Sequence, residues 1–379
     1  MMRFIVLSSE LYAYLQVLNK VIPTRSIVPL VENFLFEITS EGLKITATDL
    51  ETTMMSFIEL ENVDGEGTVA IGAKRLMEIL KEFAQQPLTF EINEETYEVV
   101  IKSETGKYSI PGYSSVEEYP KPPEISADNA NSFIINSELL NKAINYTLYT
   151  VGEDELRPIL NGILFELKPD YATFVATDSH KLVKYRRKDI KSENEASFVL
   201  AKKPAELLKN ILPKLEEDVK IEFDDKNAVF EMPNFKLVCR LIEGVYPDYE
   251  AVMPKQNDKV VEINRNSLLF TTRRVSLFSN EASKLVKYFF HDNQAEITAQ
   301  DIDFSISAYE QIACKYDGEA IAIGFKSTFM HDILQNYSCE DVAISMLQKK
   351  TPALIYPTFI EDENEELVTM LMPITIDED

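Results

Sequence analysis

Three aspartates sit at matching places in the chain: Asp49 in Ala47-Thr48-Asp49, Asp178 in Ala176-Thr177-Asp178 and Asp301 in Ala299-Gln300-Asp301. Carboxylates could hold the ions of a nuclease or polymerase, but a two-metal site needs several of them around ions about 3.5–4 Å apart. One Asp in each of three separated segments fits a turn cap or a local hydrogen bond better. His180 follows Asp178 by two residues in ATDSHKLV, which suggests an acid/base pair, yet no Ser or Cys in a nucleophile-elbow context accompanies it. Three His leave little room for a metal cage, and Cys239, Cys314 and Cys339 form an odd set with no CxxC pair. Neither a GxxxxGK[ST] loop nor a GxGxxG fingerprint occurs. The expectation is a protein with no catalytic residue, no metal and no cofactor. A metal-dependent nucleic-acid enzyme built on Asp49, Asp178 and Asp301 is the alternative, and an acidic scaffold that binds only proteins is a third reading.

The aspartates belong to a larger repetition. VPLVENFLFEI from Val28 returns as RPILNGILFEL from Arg157, with Pro29, Leu35, Phe36 and Glu37 matched by Pro158, Leu164, Phe165 and Glu166 at an offset of 129 residues. The same offset carries Ala47-Thr48-Asp49 onto Ala176-Thr177-Asp178, while Glu10-Leu11 returns as Glu138-Leu139 and Tyr119-Pro120 as Tyr246-Pro247. A third copy is legible in AIGAKRLMEIL from Ala70 and AIGFKSTFMHDIL from Ala322, with FVLAKKPAELLKNIL from Phe198 between them. Such self-similarity is read before anything else, because it fixes the architecture. Polar, proline-containing stretches, PKPPEISADNAN from Pro120 and MPKQNDK from Met253, read as joints. They predict three domains over 1–127, 128–254 and 255–379.

Each domain must hold helices and strands. Leu11, Leu15, Leu18 and Ile22 fall on one helical face, as do Leu76, Leu80 and Phe83 with Ile79 beside them. Alternation in Leu43-Lys44-Ile45-Thr46 and in Val219-Lys220-Ile221-Glu222-Phe223 predicts strands with one buried face. The fold class is therefore α+β, with two amphipathic helices laid on antiparallel sheet in each domain.

The chain has 379 residues and a formal net charge of −25, which excludes a nucleic-acid binder whose whole surface is basic. Charges in physiological salt act over only about 8 Å, so placement matters more than the total. The predicted helices carry Lys20, Lys74, Arg75, Lys81, Lys142, Lys202, Lys203, Lys209, Arg273, Arg274 and Lys326, while EINEETYE from Glu91 and EDENEE from Glu361 put acid in strands and loops. Lysines on one helix usually only solvate it. Basic outer faces on several helices of an acidic repeat protein predict a concave basic surface that attracts phosphates on one side. No stretch reaches the roughly 18 apolar residues of a membrane span, and MMRFIVLSSELYAYL lacks the features of a secretory signal, so the cytoplasm is the expected location.

ATDSHKLV from Ala176, RPILNGILFEL from Arg157, GVYPDYEAVMP from Gly244, VSLFSNE from Val275 and LMPI from Leu371 resemble, in order and spacing, the bacterial DNA sliding clamp, the beta subunit of the replicative DNA polymerase III holoenzyme. The resemblance covers essentially the whole chain. It implies a DNA-clamp fold whose protomers pair head to tail as a homodimer, giving a six-domain ring lined by helices. It also implies a non-catalytic processivity factor that encircles duplex DNA without reading sequence and tethers the polymerase. Arg25 matches a family position implicated in DNA contact, whereas Asp154, Pro158 and Ile159 stand where the family has other DNA-contacting residues.

The resemblance further implies a pocket in which peptides of the polymerase catalytic subunit, the clamp loader, other polymerases and repair proteins seat leucine and phenylalanine side chains. Carried over, its walls are Leu160, Thr177, Ser179, His180, Lys181, Leu182, Pro247, Val252, Met370, Met372, Pro373 and Ile374. Ser179 replaces a usual Gly, Lys181 and Thr375 stand where Arg is common, and Ala251 takes another frequent Arg position. Leu277 and Phe278 match the family's apolar dimer pair, and Tyr108 matches their aromatic partner from the other protomer.

Overall fold

The computed structural model describes residues 1–114, 118–126, 130–192 and 194–376. One order of elements recurs three times: strand, helix, four strands, helix, three strands. The first copy runs β1 (Met2–Leu7), α1 (Ser8–Leu18), β2 (Asn33–Thr39), β3 (Gly42–Thr48), β4 (Thr52–Glu59), the extra two-residue β5 (Val63–Asp64), β6 (Gly67–Gly72), α2 (Ala73–Lys81), β7 (Pro87–Ile92), β8 (Glu98–Lys102) and β9 (Lys107–Tyr113). The second runs β10 (Asn131–Asn136), α3 (Ser137–Leu148), β11 (Gly162–Leu167), β12 (Ala172–Thr177), β13 (Lys181–Arg187), β14 (Ala196–Ala201), α4 (Lys202–Ile211), β15 (Asp218–Phe223), β16 (Asn227–Glu231) and β17 (Phe235–Arg240). After the single turn α5 (Tyr249–Val252), the third runs β18 (Lys259–Asn264), α6 (Arg265–Ser276), β19 (Leu285–His291), β20 (Gln294–Asp301), β21 (Ile306–Ala313), β22 (Ile321–Lys326), α7 (Ser327–Asn336), β23 (Asp341–Met346), β24 (Ala353–Pro357) and β25 (Glu365–Leu371). All pairings among these strands are antiparallel, so the molecule is α+β as its periodicity predicts.

The helices form where apolar residues return every three to four positions. Leu11, Leu15 and Leu18 of α1 are fully buried, as are Leu76 and Leu80 of α2. Lys81 closes α2 where a cation favours the helix dipole. The face expected to continue to Ile22 stops short, because α1 ends at Leu18 and the Asn19 amide bonds back to the Leu15 carbonyl. Pro23 disfavours helical backbone at Ile22, which explains the early stop. β15 shows the alternating burial that its sequence predicts.

By backbone proximity the chain gathers into two compact units, Met1–Asn141 with Lys203–Leu241, and Lys142–Lys202 with Ile242–Asp379. The first holds a 13-stranded sheet in the order β10-β15-β16-β17-β4-β3-β2-β6-β9-β8-β7-β1-β5. Helix-facing residues such as Phe34, Phe36, Ile45 and Met54 make its core, and Phe4 stacks on Phe90 with ring centroids 4.9 Å apart. The second unit holds an eight-stranded sheet, β14-β11-β12-β13-β25-β24-β23-β18, and a four-stranded one, β21-β20-β19-β22. Its core includes Phe165 and Phe174 at 4.9 Å and the buried Tyr185 and Tyr288.

The stretch after Tyr119 is fastened to the first sheet rather than left free. Tyr119 is buried, and its hydroxyl donates to the Asn33 carbonyl at 3.0 Å and lies 3.2 Å from the Thr46 carbonyl. Asp224 holds the next part of the stretch by accepting from the Ser126 amide at 2.8 Å.

Candidate functional site

The turn between β12 and β13 is built from polar side chains that satisfy their own backbone. The Asp178 carboxylate accepts from the His180 and Lys181 amides at 2.9 and 2.8 Å, and the Thr177 hydroxyl donates to the Lys181 carbonyl at 2.8 Å. Ser179 sits at the tip with φ +74°, in the left-handed region that glycine tolerates best. The Lys181 side chain is buried and places its ammonium 2.6 Å from Asp178 and 4.4 Å from the centre of the Phe329 ring. A buried cation needs such partners, because desolvation alone costs several kcal/mol. His180 is exposed and stacks on the other side chain of this group, Phe329, at 5.7 Å. Lys326, at the end of β22, lies 4.9 Å from that ring.

Beside this turn an apolar floor crosses the sheet. Leu182 of β13 pairs with Met370 of β25, and Met370 pairs with Leu354 of β24. Leu164, Val175, Val199 and Tyr249 complete the buried cluster, against which Ile159, Ile242, Tyr246 and Met253 pack. The segment 242–253 thus crosses the sheet as a strap. Pro247 and Val252 lie on it exposed, Val252 at 53 %. Beyond β25 the Met372 amide donates to the His180 carbonyl at 2.9 Å, leaving the Met372 side chain 38 % exposed at the edge of the floor. Pro373 and Ile374 are half-buried, with Ile374 bonded to the Gly324 carbonyl. Leu160 is core, at 4 % exposure.

Of the expected pocket residues, the structure brings Leu182 and Met370 into the floor and sets Thr177, Ser179, His180, Lys181 and Met372 at its rim. Sequence reasoning missed Phe329, which organises three of the polar groups, and Tyr246, which packs against the apolar cluster of the floor. Tyr246 was within reach, because Tyr119-Pro120 and Tyr246-Pro247 repeat. Phe329 gave less signal, standing next to the apolar face of α7 formed by Met330, Ile333 and Leu334. Burial pushes the neighbouring Asp332 carboxyl above its usual range, with the Lys181 charge pulling it back.

Asp49 and Asp301 repeat the role of Asp178. Asp49 accepts from the Glu51 and Thr52 amides at 3.0 and 2.6 Å, and Asp301 from those of Asp303 and Phe304 at 3.0 and 3.3 Å. Each carboxylate caps its own hairpin, so nothing observed favours the metal-enzyme alternative.

The basic residues divide into two groups. Lys203 gives its ammonium to Asp49 and to the Val21 carbonyl, Lys202 pairs with Glu153, and Arg274 forks onto Glu310 at 2.6 and 2.8 Å. Lys142 lies 3.8 Å from Glu365 and Arg75 3.2 Å from Glu78. Lys20, Arg25, Lys74, Lys81, Lys209 and Arg273 are exposed and have no ion-pair partner among the described residues. Two expected helical positions lie just outside helices, Lys20 past the end of α1 and Lys326 before the start of α7.

Leu277 and Phe278 follow α6 with 77 % and 39 % exposure, and the β20–β21 turn adds exposed Ile302 and Phe304. β21 is the end strand of its sheet, and Tyr309 on it is exposed. In the first unit, β9 pairs with β6 only at Gly112 and Tyr113, leaving the stretch 107–111 without a strand partner on that side among the described residues. Tyr108 lies in this free stretch, its ring 5.4 Å from Phe83. Free strand edges with exposed apolar side chains invite pairing with another chain.

Three family models match consecutive parts of the chain: the N-terminal domain of the DNA polymerase III beta subunit over residues 2–123, its central domain over 134–248 and its C-terminal domain over 250–375. The beta sliding clamp of Haemophilus influenzae is 28 % identical over 374 residues, covering 98 % of this chain and 100 % of that protein. That of Bacillus subtilis is 25 % identical over 98 % and 99 % of the two chains. The crystal structure of the Pseudomonas aeruginosa sliding clamp bound to griselimycin superposes with TM-score 0.92 at 23 % identity, covering 99 % of this chain and 100 % of that one, a likeness of fold. The Bacillus subtilis sliding clamp structure gives 0.91 at 24 % identity with the same coverage.

Proposed function

The chain belongs to the family of DNA polymerase III beta subunits, the bacterial sliding clamps, and we propose that two copies close head to tail into a ring around duplex DNA. It is a non-catalytic processivity subunit that works by tethering the polymerase. The observation that carries the ring is the pair of unfinished strand edges, β9 with Tyr108 and β21 beside Leu277, Phe278 and Ile302. Docking one edge on the other in a second copy would continue the sheet and cover the apolar side chains. Release on linearising a circular DNA tests the topological hold.

Lys20, Arg25, Lys74, Lys81, Lys209 and Arg273, without an ion-pair partner among the described residues, supply the DNA contacts in this reading, joined by Lys326 and by Arg75, whose side chain stays 71 % exposed beside Glu78. Lys142, Lys202, Lys203 and Arg274 serve the fold first, since each already faces a carboxylate. Mobile, water-bridged ammonium groups suit sliding, because they hold phosphates without fixing a register. The net −25 is no obstacle, because screening over about 8 Å separates a basic lining from acid elsewhere.

The second unit's floor and rim form a peptide pocket in this account. Leu182, Met370, Met372, Val252 and Pro247 make an adaptable apolar surface, and exposed His180 presents a polar group at its edge while buried Lys181 holds the turn through Asp178. Its occupants are apolar-anchored segments of the polymerase, the clamp loader and repair proteins, and the protein works in the cytoplasm as a homodimer.

A further inference from the structure

The first unit carries a close counterpart of the pocket in the second, and no role is attached to it. The correspondence holds strand by strand. Leu35 of β2 and Thr46 of β3 stand where Leu164 and Val175 stand 129 residues on. Thr53 of β4 pairs with Val238 of β17 as Leu182 pairs with Met370. Val238 in turn pairs with Val229 of β16, as Met370 pairs with Leu354. At the end of β17 the Arg240 amide donates to the Glu51 carbonyl at 2.9 Å, repeating the bond from Met372 to His180. The strap is repeated too, with Tyr119-Pro120 in the place of Tyr246-Pro247.

This counterpart is an open groove of about 790 Å³ along the side of the strap, with Leu35, Met55, Val229 and Val238 in its lining. That volume is in the range that accommodates a small ligand or a pair of side chains. Pro120, Pro122 and Pro123 form its wall, a stiff border that loses little entropy when something binds against it. Met55 is half-buried and can adapt its shape to an incoming side chain.

We propose that this groove is a second docking site for linear peptides with aliphatic and aromatic anchors, weaker than the pocket in the second unit. The occupant is inferred from the shared construction, so the proposal rests on the peptide-pocket reading above. The differences set the order of affinity. Thr46 stands in the lining where Val175 stands in the second unit, and Glu37, Lys44, Lys121, Glu124, Glu222 and Lys236 also line the groove, which makes it more polar. Glu51 and Arg240, an ion pair 3.6 Å apart, stand where His180 and Met372 stand in the second unit.

The test uses full-length protein with ¹³C-methyl methionine and a synthetic hexapeptide carrying one Leu and one Phe. Met370 and Met372 report on the second-unit pocket and Met55 on the groove. Saturable movement of the Met55 signal is expected, with a midpoint at least about tenfold above that of Met372. It should survive unchanged in a His180→Ala, Met372→Ala double variant, and Met55→Ala should lower the calorimetric stoichiometry from two peptides per chain to one. A Met55 signal that stays still, that moves only when the second-unit pocket is intact, or that responds equally to a peptide with Ala at both anchors overturns the proposal. Movement of Met55 with protein concentration alone assigns the groove to a second copy and also overturns it. Still signals at Met370 and Met372 defeat the pocket reading itself, whatever Met55 does.

Discussion

The Met372 amide donates to the His180 carbonyl at 2.9 Å, so the last strand and the β12–β13 turn form one edge of the candidate pocket. Removing either side chain from this edge exposes the floor without touching the core. Met372→Ala or His180→Ala should therefore weaken a clamp-binding peptide by about 1–3 kcal/mol, the range of truncated hot-spot contacts, with thermal stability unchanged. Fluorescence anisotropy with a labelled peptide measures this, and equal dissociation constants for both variants and the parent would place the pocket elsewhere.

Backbone strain at the same turn predicts a stabilising change. Ser179 and Leu50 occupy corresponding hairpin tips with φ +74° and +82°. A side chain in this region costs roughly 1–2 kcal/mol, part of which glycine returns as chain entropy in the unfolded state. Ser179→Gly and Leu50→Gly should each raise stability by about 0.5–1 kcal/mol, read as a higher urea midpoint at constant slope. A lower midpoint for both would contradict the strain.

Apolar exposure beside the end strand β21 predicts the oligomeric state. The parent should sediment as twice 43.3 kDa, and a Leu277→Ala, Phe278→Ala variant as a folded species of 43.3 kDa at micromolar concentration. A variant that remains dimeric at those concentrations would show that the interface lies on other residues.

Acid should loosen the first unit through Asp224. Burial pushes this carboxyl up, but the amides of Ser126, Lys226 and Asn227 outweigh it and hold its pKa below the usual value. A depressed folded pKa contributes stability that is complete above the unfolded value of about 3.9 and lost as pH falls through the folded one. Asp224→Ala should cost about 2 kcal/mol at pH 7, and the gap to the parent should narrow in urea melts below about pH 3.5. A gap that widens on acidification would reverse the sign of this linkage.

Much of the fold was legible because the chain repeats its own solution. Matching Leu35 with Leu164 and Asp49 with Asp178 fixed equivalent strands and turns, and alternation marked β3 and β15. Helix ends were less legible, since Ile22 continues the apolar spacing while Pro23 stops the helix. Site residues that act through spacing along the chain, such as Asp178, His180 and Lys181, could be found from sequence. Phe329 could not, because its role comes from a strand-to-helix junction brought beside β13 by tertiary packing. The fate of the cations was equally hidden. Lys203 and Lys209 look alike on α4, yet only Lys203 reaches Asp49.

The central claim is that DNA is held by a closed ring rather than by surface charge. Loading the protein with its clamp loader onto nicked circular DNA, then cutting the circle once, tests it most directly. The account predicts long retention on the circle and rapid loss after cutting, with blocked ends restoring retention. Equal retention on circular and open linear DNA would contradict it.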